Sequence, residues 1–254
     1  MRVLSIANHK GGVGKTATAR ALGDYLAEAG YKTLLIDMDP QASLTMSCGY
    51  RQTVTPAIVD VLGGVQPGLL TIPKITKQVS ANLDLAPSNL DLAGVELGIA
   101  SRLGREYILK KALSGLTYDI AIIDNPPALS LLVVNSIVAS HGILIPTQLM
   151  PVDVMGVNAF INTLNMIKEG LACEASIVGI LGTFYDQRLN THQAGLEAMQ
   201  AAGWPVLPVT IGRSVRVGEA AGHGQSVITY EPSNPQAGAY KELGRIIELW
   251  LKKQ

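Results

Sequence analysis

The sequence predicts an α/β fold in which a mostly parallel, twisted β-sheet carries helices on both faces. Short apolar runs alternate with segments of helical periodicity, and this alternation is typical of βαβ units. The runs at residues 3–7, 32–37 and 118–124 are apolar through their middle, as expected for strands buried between two helical layers. The chain has 254 residues, of which 48% are hydrophobic, so we expect one domain spanning residues 1–254.

The first predicted helix has a clear apolar stripe. Ala19, Leu22 and Leu26 follow Thr16 at helical spacing, and Gly30 is the expected C-terminal cap. Apolar runs predict further strands at 83–86, 142–147, 176–184 and 205–208. Helical spacing predicts further helices near 56–62, after 87, and at 105–113, 131–139, 153–169 and 240–251. Glycine and proline residues, among them Gly63-Gly64, Pro67-Gly68 and Pro73, predict that the rest of residues 42–80 is irregular.

Composition excludes several classes of protein. Lys and Arg total 20, as do Asp and Glu, and a net charge of zero argues against an obligate nucleic-acid-binding protein. Cys48 and Cys173 lack metal-ligand spacing, which argues against zinc or an iron–sulfur cluster and indicates a reducing compartment. The most apolar window, residues 129–145, is too interrupted by polar residues for a membrane span. We therefore expect a cytoplasmic protein without a signal peptide.

A glycine-rich turn connects the first strand to the first helix. Its glycines permit positive φ angles and close approach of the backbone to phosphate oxygens. Lys15 is placed to reach the β- and γ-phosphates, and the hydroxyl of Thr16 is placed to ligate Mg²⁺. The turn predicts a P-loop NTPase. The residues predicted to bind the nucleotide are Gly11, Gly12, Val13, Gly14, Lys15, Thr16 and Ala17.

The turn departs from the general P-loop pattern G-x-x-x-x-G-K-[ST]. His9 stands where that pattern has its first glycine, and a second lysine, Lys10, lies five residues before Lys15. Packing alone gives no reason for a second cation in such a turn. A surface turn that matches by chance is the alternative, and the flanking strand and helix count against it.

Three aspartates stand where predicted strands end. Asp37 and Asp39 follow the strand 32–37, and Asp124 ends the strand 118–124. In parallel sheets such positions face the crevice where ligands bind. Asp124 has the Walker B arrangement and is predicted to hold Mg²⁺. For Asp39, a helix cap is the alternative to a role in the site.

These motifs resemble those of the ParA/MinD group of deviant Walker ATPases. The family pattern K-G-G-x-G-K-[ST] matches residues 10–16, D-x-D-P-Q matches 37–41, and D-x-P-P matches 124–127. Two further segments are similar to family elements: P-S-x-x-D-L-A-G at 87–94 and R-x-x-x-x-x-E-A at 213–220. The resemblance therefore extends over most of the chain.

The resemblance implies ATP and Mg²⁺ as ligands and gives roles to individual residues. Asp39 would orient the attacking water, and Asp37 would assist Mg²⁺ or the switch. Lys10 would reach across a face-to-face homodimer to the partner's phosphates, so that the catalytic set is Lys10, Lys15 and Asp39. Tyr185 and Pro208 would lie near adenine.

The resemblance also implies an ATPase that positions a plasmid, chromosome or protein cargo. Its ATP-bound dimer would bind DNA without sequence preference and associate with the nucleoid, and a ParB-like or cargo-adaptor protein would stimulate hydrolysis. The residues expected to contact DNA are Arg213, Arg216, Lys241 and Arg245. No separate N-terminal DNA-binding domain is expected before the glycine-rich turn.

Two alternatives concern the C-terminal region. From Arg188 to Lys253 basic residues outnumber acidic ones only slightly, so a solvated face of mixed charge is one alternative to a DNA-binding surface. The other is a MinD-like, membrane-associated positioning ATPase that uses the helix around Trp250 as a membrane tail. Glu242 and Glu248 on that helix would be repelled by an anionic bilayer, which makes membrane binding the weaker alternative.

Overall fold

The computed structural model describes residues 1–63 and 70–253 and confirms the predicted α/β architecture. The strands are β1 (Arg2–Ile6), β2 (Thr33–Asp37), β3 (Lys77–Ser80), β4 (Leu83–Ala86), β5 (Ile120–Asp124), β6 (Gly142–Thr147), β7 (Ser176–Tyr185) and β8 (Val206–Gly212). They form a single sheet in the order β3-β4-β2-β5-β1-β6-β7-β8. Every neighbouring pair is parallel except β3 and β4.

Helices cover both faces of this sheet. The α-helices are α1 (Lys15–Glu28), α2 (Ser43–Ser47), α3 (Ile58–Leu62), α4 (Ile72–Ile75), α5 (Val95–Ile99), α6 (Ile108–Ala112), α7 (Leu131–Ala139), α8 (Pro151–Gly170), α9 (Asn190–Ala201), α10 (Val215–Gly222), α11 (Val227–Tyr230) and α12 (Pro235–Lys252). Short 3₁₀ segments at Leu90–Gly94 and Arg105–Tyr107 precede α5 and α6.

Alternating side chains of the central strands belong to two separate cores. Leu35 and Ile122 pack with residues of α1 and α12 on one face. Leu34 and Ile123 point the other way and pack with residues of α3 to α7. Because both faces are covered, β2 and β5 are buried along their whole length, which explains why their sequences are continuous apolar runs.

The register of the central strands builds the site. Ile6 at the end of β1 and Asp37 at the end of β2 are both level with Asp124 at the end of β5. The segment after β1, which contains the glycine-rich turn, therefore begins beside two strand-terminal carboxylates. This is the carboxyl edge of the sheet, where ligands of such folds bind.

The structure differs from the sequence prediction at the periphery. The antiparallel edge strand β3 and the helix α9 were not predicted, and β8 continues to Gly212, beyond the predicted end at residue 208. Cys48 and Cys173 are buried free thiols, as expected. Of the predicted breaks between residues 42 and 80, those at Gly64, Pro67 and Gly68 lie outside the described residues.

Candidate functional site

The glycine-rich turn forms an open loop between β1 and α1. Gly12 and Gly14 have φ angles of 70° and 86°, in the left-handed region that favours glycine, and Gly14 is the N-terminal cap of α1. The Thr183 hydroxyl, near the end of β7, donates a 2.9 Å hydrogen bond to the carbonyl of Val13. The loop is thus fixed to the sheet while its glycines leave room for a ligand.

Lys15 occupies the centre of this loop. Its side chain is buried, and its ammonium donates hydrogen bonds to the carbonyl oxygens of Lys10 at 3.0 Å and Asn8 at 3.4 Å. Burial lowers the pKa of Lys15, while the nearby carboxylates of Asp124 and Asp39 oppose that shift. The loop therefore already holds one ammonium group at its centre, as a site for an anionic phosphate chain requires.

Thr16 and Asp124 form the metal side of the site. The Thr16 hydroxyl donates a 2.7 Å hydrogen bond to Oδ2 of Asp124, while Oδ1 is buried without a hydrogen-bond partner within residues 1–63 and 70–253. Burial, and then the neighbouring Asp37, raise the pKa of Asp124 well above its usual range. An incompletely partnered buried carboxylate beside a hydroxyl fits a Mg²⁺ ion.

The same described ranges contain no group of three or more His, Cys, Asp and Glu residues that could hold a metal alone. Mg²⁺ in nucleotide sites is usually held by one or two protein ligands together with phosphates and water. The arrangement of Thr16 and Asp124 fits a metal ion that enters with a nucleotide rather than a resident ion.

Asp37 has a different environment from Asp124. Its Oδ2 accepts hydrogen bonds from the amide and hydroxyl of Thr45 at 2.8 and 2.7 Å, and its Oδ1 accepts one from the amide of Asp39 at 3.1 Å. Burial raises the pKa of Asp37, and the hydrogen bonds from Thr45 oppose that shift. Asp37 thus fixes the backbone on which Asp39 stands, and its contact with Mg²⁺ stays a prediction.

Asp39 lies at the mouth of the site and is half-buried. Its Oδ1 accepts a 2.9 Å hydrogen bond from the amide of Gln41 in the turn after β2. The N-terminal cap of α2 is Ala42, and no side chain caps that helix, so the helix cap considered as the alternative role of Asp39 is wrong. The Asp39 carboxylate lies near enough to Lys15 and Asp124 for its charge to raise the pKa of both groups. The role of Asp39 in orienting water stays a prediction.

The segment after Asp124 contacts the loop directly. Asn125 is buried, and its side-chain amide donates to the carbonyl of Ile6 at 3.1 Å. A Cβ atom placed on Gly11 would lie 3.7 Å from the Cβ of Pro127, in ordinary van der Waals contact. Pro127 therefore lies against the loop that would hold the phosphates.

Lys10 points away from the centre of the loop. Its ammonium lies 2.6 Å from Oδ1 of Asp153 in the first turn of α8 and 3.3 Å from Oε1 of Gln148. The Lys10 side chain is 44% exposed. The two lysines thus have separate positions, one inside the loop and one on its outer surface.

Comparison with known proteins bears on this arrangement. Residues 1–177 match the protein family described as an AAA domain. The chain is also 35% identical over 248 residues to the sporulation initiation inhibitor protein Soj of Bacillus subtilis, and the match covers 96% of this chain and 97% of Soj. The chain belongs to the ParA/MinD family of ATPases.

Two other relatives are similar over nearly the whole chain. The chromosome partitioning protein ParA of Myxococcus xanthus is 35% identical over 249 residues, which cover 96% of this chain and 87% of that protein. A crystal structure of cobyrinic acid a,c-diamide synthase from Mycobacterium smegmatis, with bound ADP and magnesium, has a TM-score of 0.84 and 32% identity and covers 100% of this chain and 97% of the other. The described fold is that of a P-loop ATPase.

In this ParA/MinD-family chain, the end of β7 lies beside the loop, to which Thr183 is hydrogen-bonded. Phe184 has a φ angle of 52°, which is strained for a bulky residue and typical of functional sites. The guanidinium of Arg213 lies 5.4 Å from the centroid of the Phe184 ring. The amide of Gly212 donates a 2.6 Å hydrogen bond to the side chain of Gln236. The sequence carried no signal for the contact between Gly212 and Gln236, which are 24 residues apart.

The two residues predicted to contact adenine lie in β7 and β8. Tyr185 stacks with His192 of α9, with ring centroids 6.1 Å apart. Pro208 is exposed in the interior of β8, four residues before the strand ends at Gly212. Their contacts with adenine stay predictions. Ala17 is half-buried on α1, where it lines a cavity of about 230 Å³ with Thr16.

The four predicted DNA-binding residues of this family member differ in their environments. Arg216 is paired with Glu219 at 2.6 Å and lies 3.7 Å from Glu231. Arg213 is exposed, and Lys241 and Arg245 lie one turn apart on α12, half-buried and exposed respectively. Because Gln236 in the first turn of α12 binds Gly212, the chain next to Arg213 is joined to the start of α12.

The buried side chain of Arg20 connects α2, the helix that follows Asp39, to the residues just after α10. The guanidinium of Arg20 donates to the carbonyl of Ser47 in α2 at 3.1 Å and to that of Gly224, beyond α10, at 3.2 Å. It also forms a buried ion pair with Asp24. A Cβ atom on Gly224 would lie 3.0 Å from the Cα of Gly49, so the two backbones are in close contact here.

Proposed function

We propose that this chain acts as a single domain, residues 1–254, that binds ATP·Mg²⁺, forms a face-to-face homodimer and is released by hydrolysis. In this reading it is a partition-type ATPase that positions a DNA or protein cargo. The observation that carries the proposal is the second lysine: Lys15 fills the loop of its own copy, while Lys10 lies half-exposed at the surface. Once released from Asp153, an ammonium group in that position would be available to the phosphates of a second copy.

The residues of the loop would hold the nucleotide as follows. The backbone amides of Gly11 to Ala17 and the ammonium of Lys15 would bind the phosphates, and Thr16 with Asp124 would hold Mg²⁺. When bound, Mg²⁺ would neutralise charge that develops on the phosphates. Lys15→Ala should abolish nucleotide binding, measured with a fluorescent ATP analogue, because it removes the ammonium that the loop holds at its centre.

Asp39 would orient the attacking water from the mouth of the site. Hydrolysis of a phosphoanhydride depends mainly on positioning and charge stabilisation, so loss of the orienting group should affect turnover more than binding. Asp39→Ala should retain ATP with an affinity near that of wild type and lose phosphate release. Wild-type turnover in this variant would exclude the role.

The face that carries Lys10 also has an apolar character that suits a second copy. Val152 and Met155, in the first turns of α8 next to Asp153, are 67% and 75% exposed. ATP-dependent dimerisation, followed by analytical ultracentrifugation, should be lost in Lys10→Ala and retained in Lys32→Ala, a control at the opposite edge of the sheet. Equal dimerisation of Lys10→Ala and wild type would contradict the proposed cross-dimer contact.

The dimer would bind DNA nonspecifically through Arg213, Lys241 and Arg245. Arg216 would contribute once its pairing with Glu219 and Glu231 is exchanged for phosphate. Binding through a few phosphate contacts should be weak, steeply salt-dependent and strengthened by dimerisation. Retention of unrelated DNA fragments should therefore require ATP. Arg245→Ala should lower the slope of log K against log salt by about 1 per protomer. DNA binding that is the same with ATP, with ADP and without nucleotide would refute the proposed control of DNA binding by ATP.

The proposed partner is a ParB-like or cargo-adaptor protein that stimulates hydrolysis, and the ATP-bound dimer would associate with the nucleoid. The membrane alternative has little support, because Tyr240, Leu243 and Ile247 of α12 are buried in the core with α1. In the described part of the chain no helix has the length and apolarity to cross a bilayer. Liposome co-sedimentation with ATP would test this alternative: ATP-dependent binding to anionic vesicles, but not to DNA, would favour it.

A further inference from the structure

Asp153 is a buried acid whose partner is a half-exposed lysine. Its side chain is 2% exposed, and Oδ1 accepts the 2.6 Å hydrogen bond from Lys10. Its Oδ2 is buried without a hydrogen-bond partner in the described ranges 1–63 and 70–253. The ammonium of Lys10 is therefore the cation that compensates this carboxylate.

Gln148 also holds the side chain of Lys10 in place. Its Oε1 accepts from the Lys10 ammonium at 3.3 Å, and its amide nitrogen donates to the carbonyl of Gly12 at 3.4 Å. The Lys10 side chain is thus held between the β6–α8 connection and the glycine-rich loop. In one copy of the chain this lysine is folded back onto its own α8.

Removing Lys10 from this position would change the energy of Asp153 more than that of Lys10. The lysine is 44% exposed and would regain water, whereas the buried acid would lose its partner. A buried charge that loses its partner is strongly destabilising. The free energy needed to extend Lys10 toward a second copy is therefore set mainly at Asp153.

We propose that Asp153 is a positioning residue that holds Lys10 in the single copy and thereby sets the protein concentration at which ATP joins two copies. The inference rests on the proposed dimer. In a two-fold symmetric pair, each copy must release one Lys10 from one Asp153, so the effect enters the dimer dissociation constant twice. Weakening the contact between Lys10 and Asp153 should consequently lower the dimer dissociation constant.

The test is ATP-dependent self-association of the full chain, measured by analytical ultracentrifugation in an Asp39→Ala background to prevent hydrolysis. Asp153→Asn should lower the dimer dissociation constant by about a hundredfold or more, since a hydrogen bond to a charged group, which corresponds to at least about a tenfold change, is lost in both copies. Asp153→Ala should also lower the dimer dissociation constant, and it replaces the asparagine variant in the test if that variant does not fold. Thermal unfolding of each variant establishes that it is folded.

A double-mutant cycle separates this role from a purely structural one. In a Lys10→Ala background, Asp153→Asn should no longer tighten any residual association, because the two side chains act through one contact. An unchanged or raised dissociation constant in both Asp153 variants overturns the inference, as does an equal effect of Asp153→Asn with and without Lys10. If the parent protein does not dimerise with ATP at any concentration, the proposed function fails and this inference fails with it.

Discussion

Replacing Asp124 with asparagine should stabilise the metal-free protein while removing its response to Mg·ATP. Asp124 is fully buried next to Asp37, with one oxygen bound by Thr16 and the other without a partner in the described part of the chain. An asparagine keeps an oxygen that can accept from Thr16 and carries no charge. The substitution thus removes a buried charge but keeps the size of the side chain.

The size and sign of the effect follow from the burial of the carboxylate. A buried carboxylate beside a second carboxylate costs more than a buried neutral amide, so Asp124→Asn should raise the free energy of unfolding by about 1–2 kcal/mol at about pH 8. Burial raises the pKa of Asp124 in the folded state. An acid with a raised folded pKa stabilises the protein at low pH, and that contribution is lost as pH rises through the folded pKa. The advantage of the variant should therefore be small at about pH 5 and grow toward about pH 8.

Urea unfolding in EDTA at the two pH values measures this difference. Asp119→Asn is the matched control, since Asp119 is exposed next to the other end of β5. With Mg·ATP at about 100 times its dissociation constant, wild type should gain about 2.7 kcal/mol, and Asp124→Asn should gain much less. A metal-free variant no more stable than wild type at about pH 8 would refute the argument from buried charge.

Two predictions concern stability alone. Gly244→Ala should lower the free energy of unfolding by about 1–3 kcal/mol, because a Cβ atom there would overlap the ring of Tyr25. Gly238→Ala on the same helix meets nothing within 4 Å and should instead gain up to about 1 kcal/mol; urea unfolding that ranks the two variants equally would contradict this. Arg20→Ala should cost about 3–5 kcal/mol, because it leaves Asp24 as a buried charge without its cation; a loss below about 1 kcal/mol would show that the ion pair is not needed for stability.

The core of the fold could be predicted because its strands are buried on both sides. Continuous apolar runs identify β2 and β5 regardless of their neighbours. The edge strand β3 alternates between half-buried and exposed residues and has only Val79 as an aliphatic residue, so its sequence resembles a loop. Helix α9 buries little beyond His192, Gly195 and Met199, which leaves almost no apolar stripe to detect.

The candidate site was predictable only where its chemistry is local in sequence. The glycine-rich turn and the strand-terminal Asp124 carry their own signals. The partner of Lys10 does not: Asp153 lies 143 residues further along the chain, and only the packing of α8 against the loop brings the two together. The end of β8 was not predictable either, because it is set by pairing with β7 rather than by local sequence. Pro208, predicted to end this strand, therefore lies in its interior.

Helix α2 is attached to two buried charged residues, one at its middle and one at its C-terminal end. Asp37 binds Thr45, and Arg20 binds Ser47 and, through the same guanidinium, the backbone at Gly224 that follows α10. Direct contacts through α2 therefore link the Asp39 segment to the neighbourhood of α10. Thermodynamic linkage makes such a connection reciprocal: if ATP changes the affinity of the α10 surface for a polyanion by some factor, the polyanion must change the affinity for ATP by the same factor. A polyanion bound at α10 would then change the affinity for ATP without contacting the nucleotide.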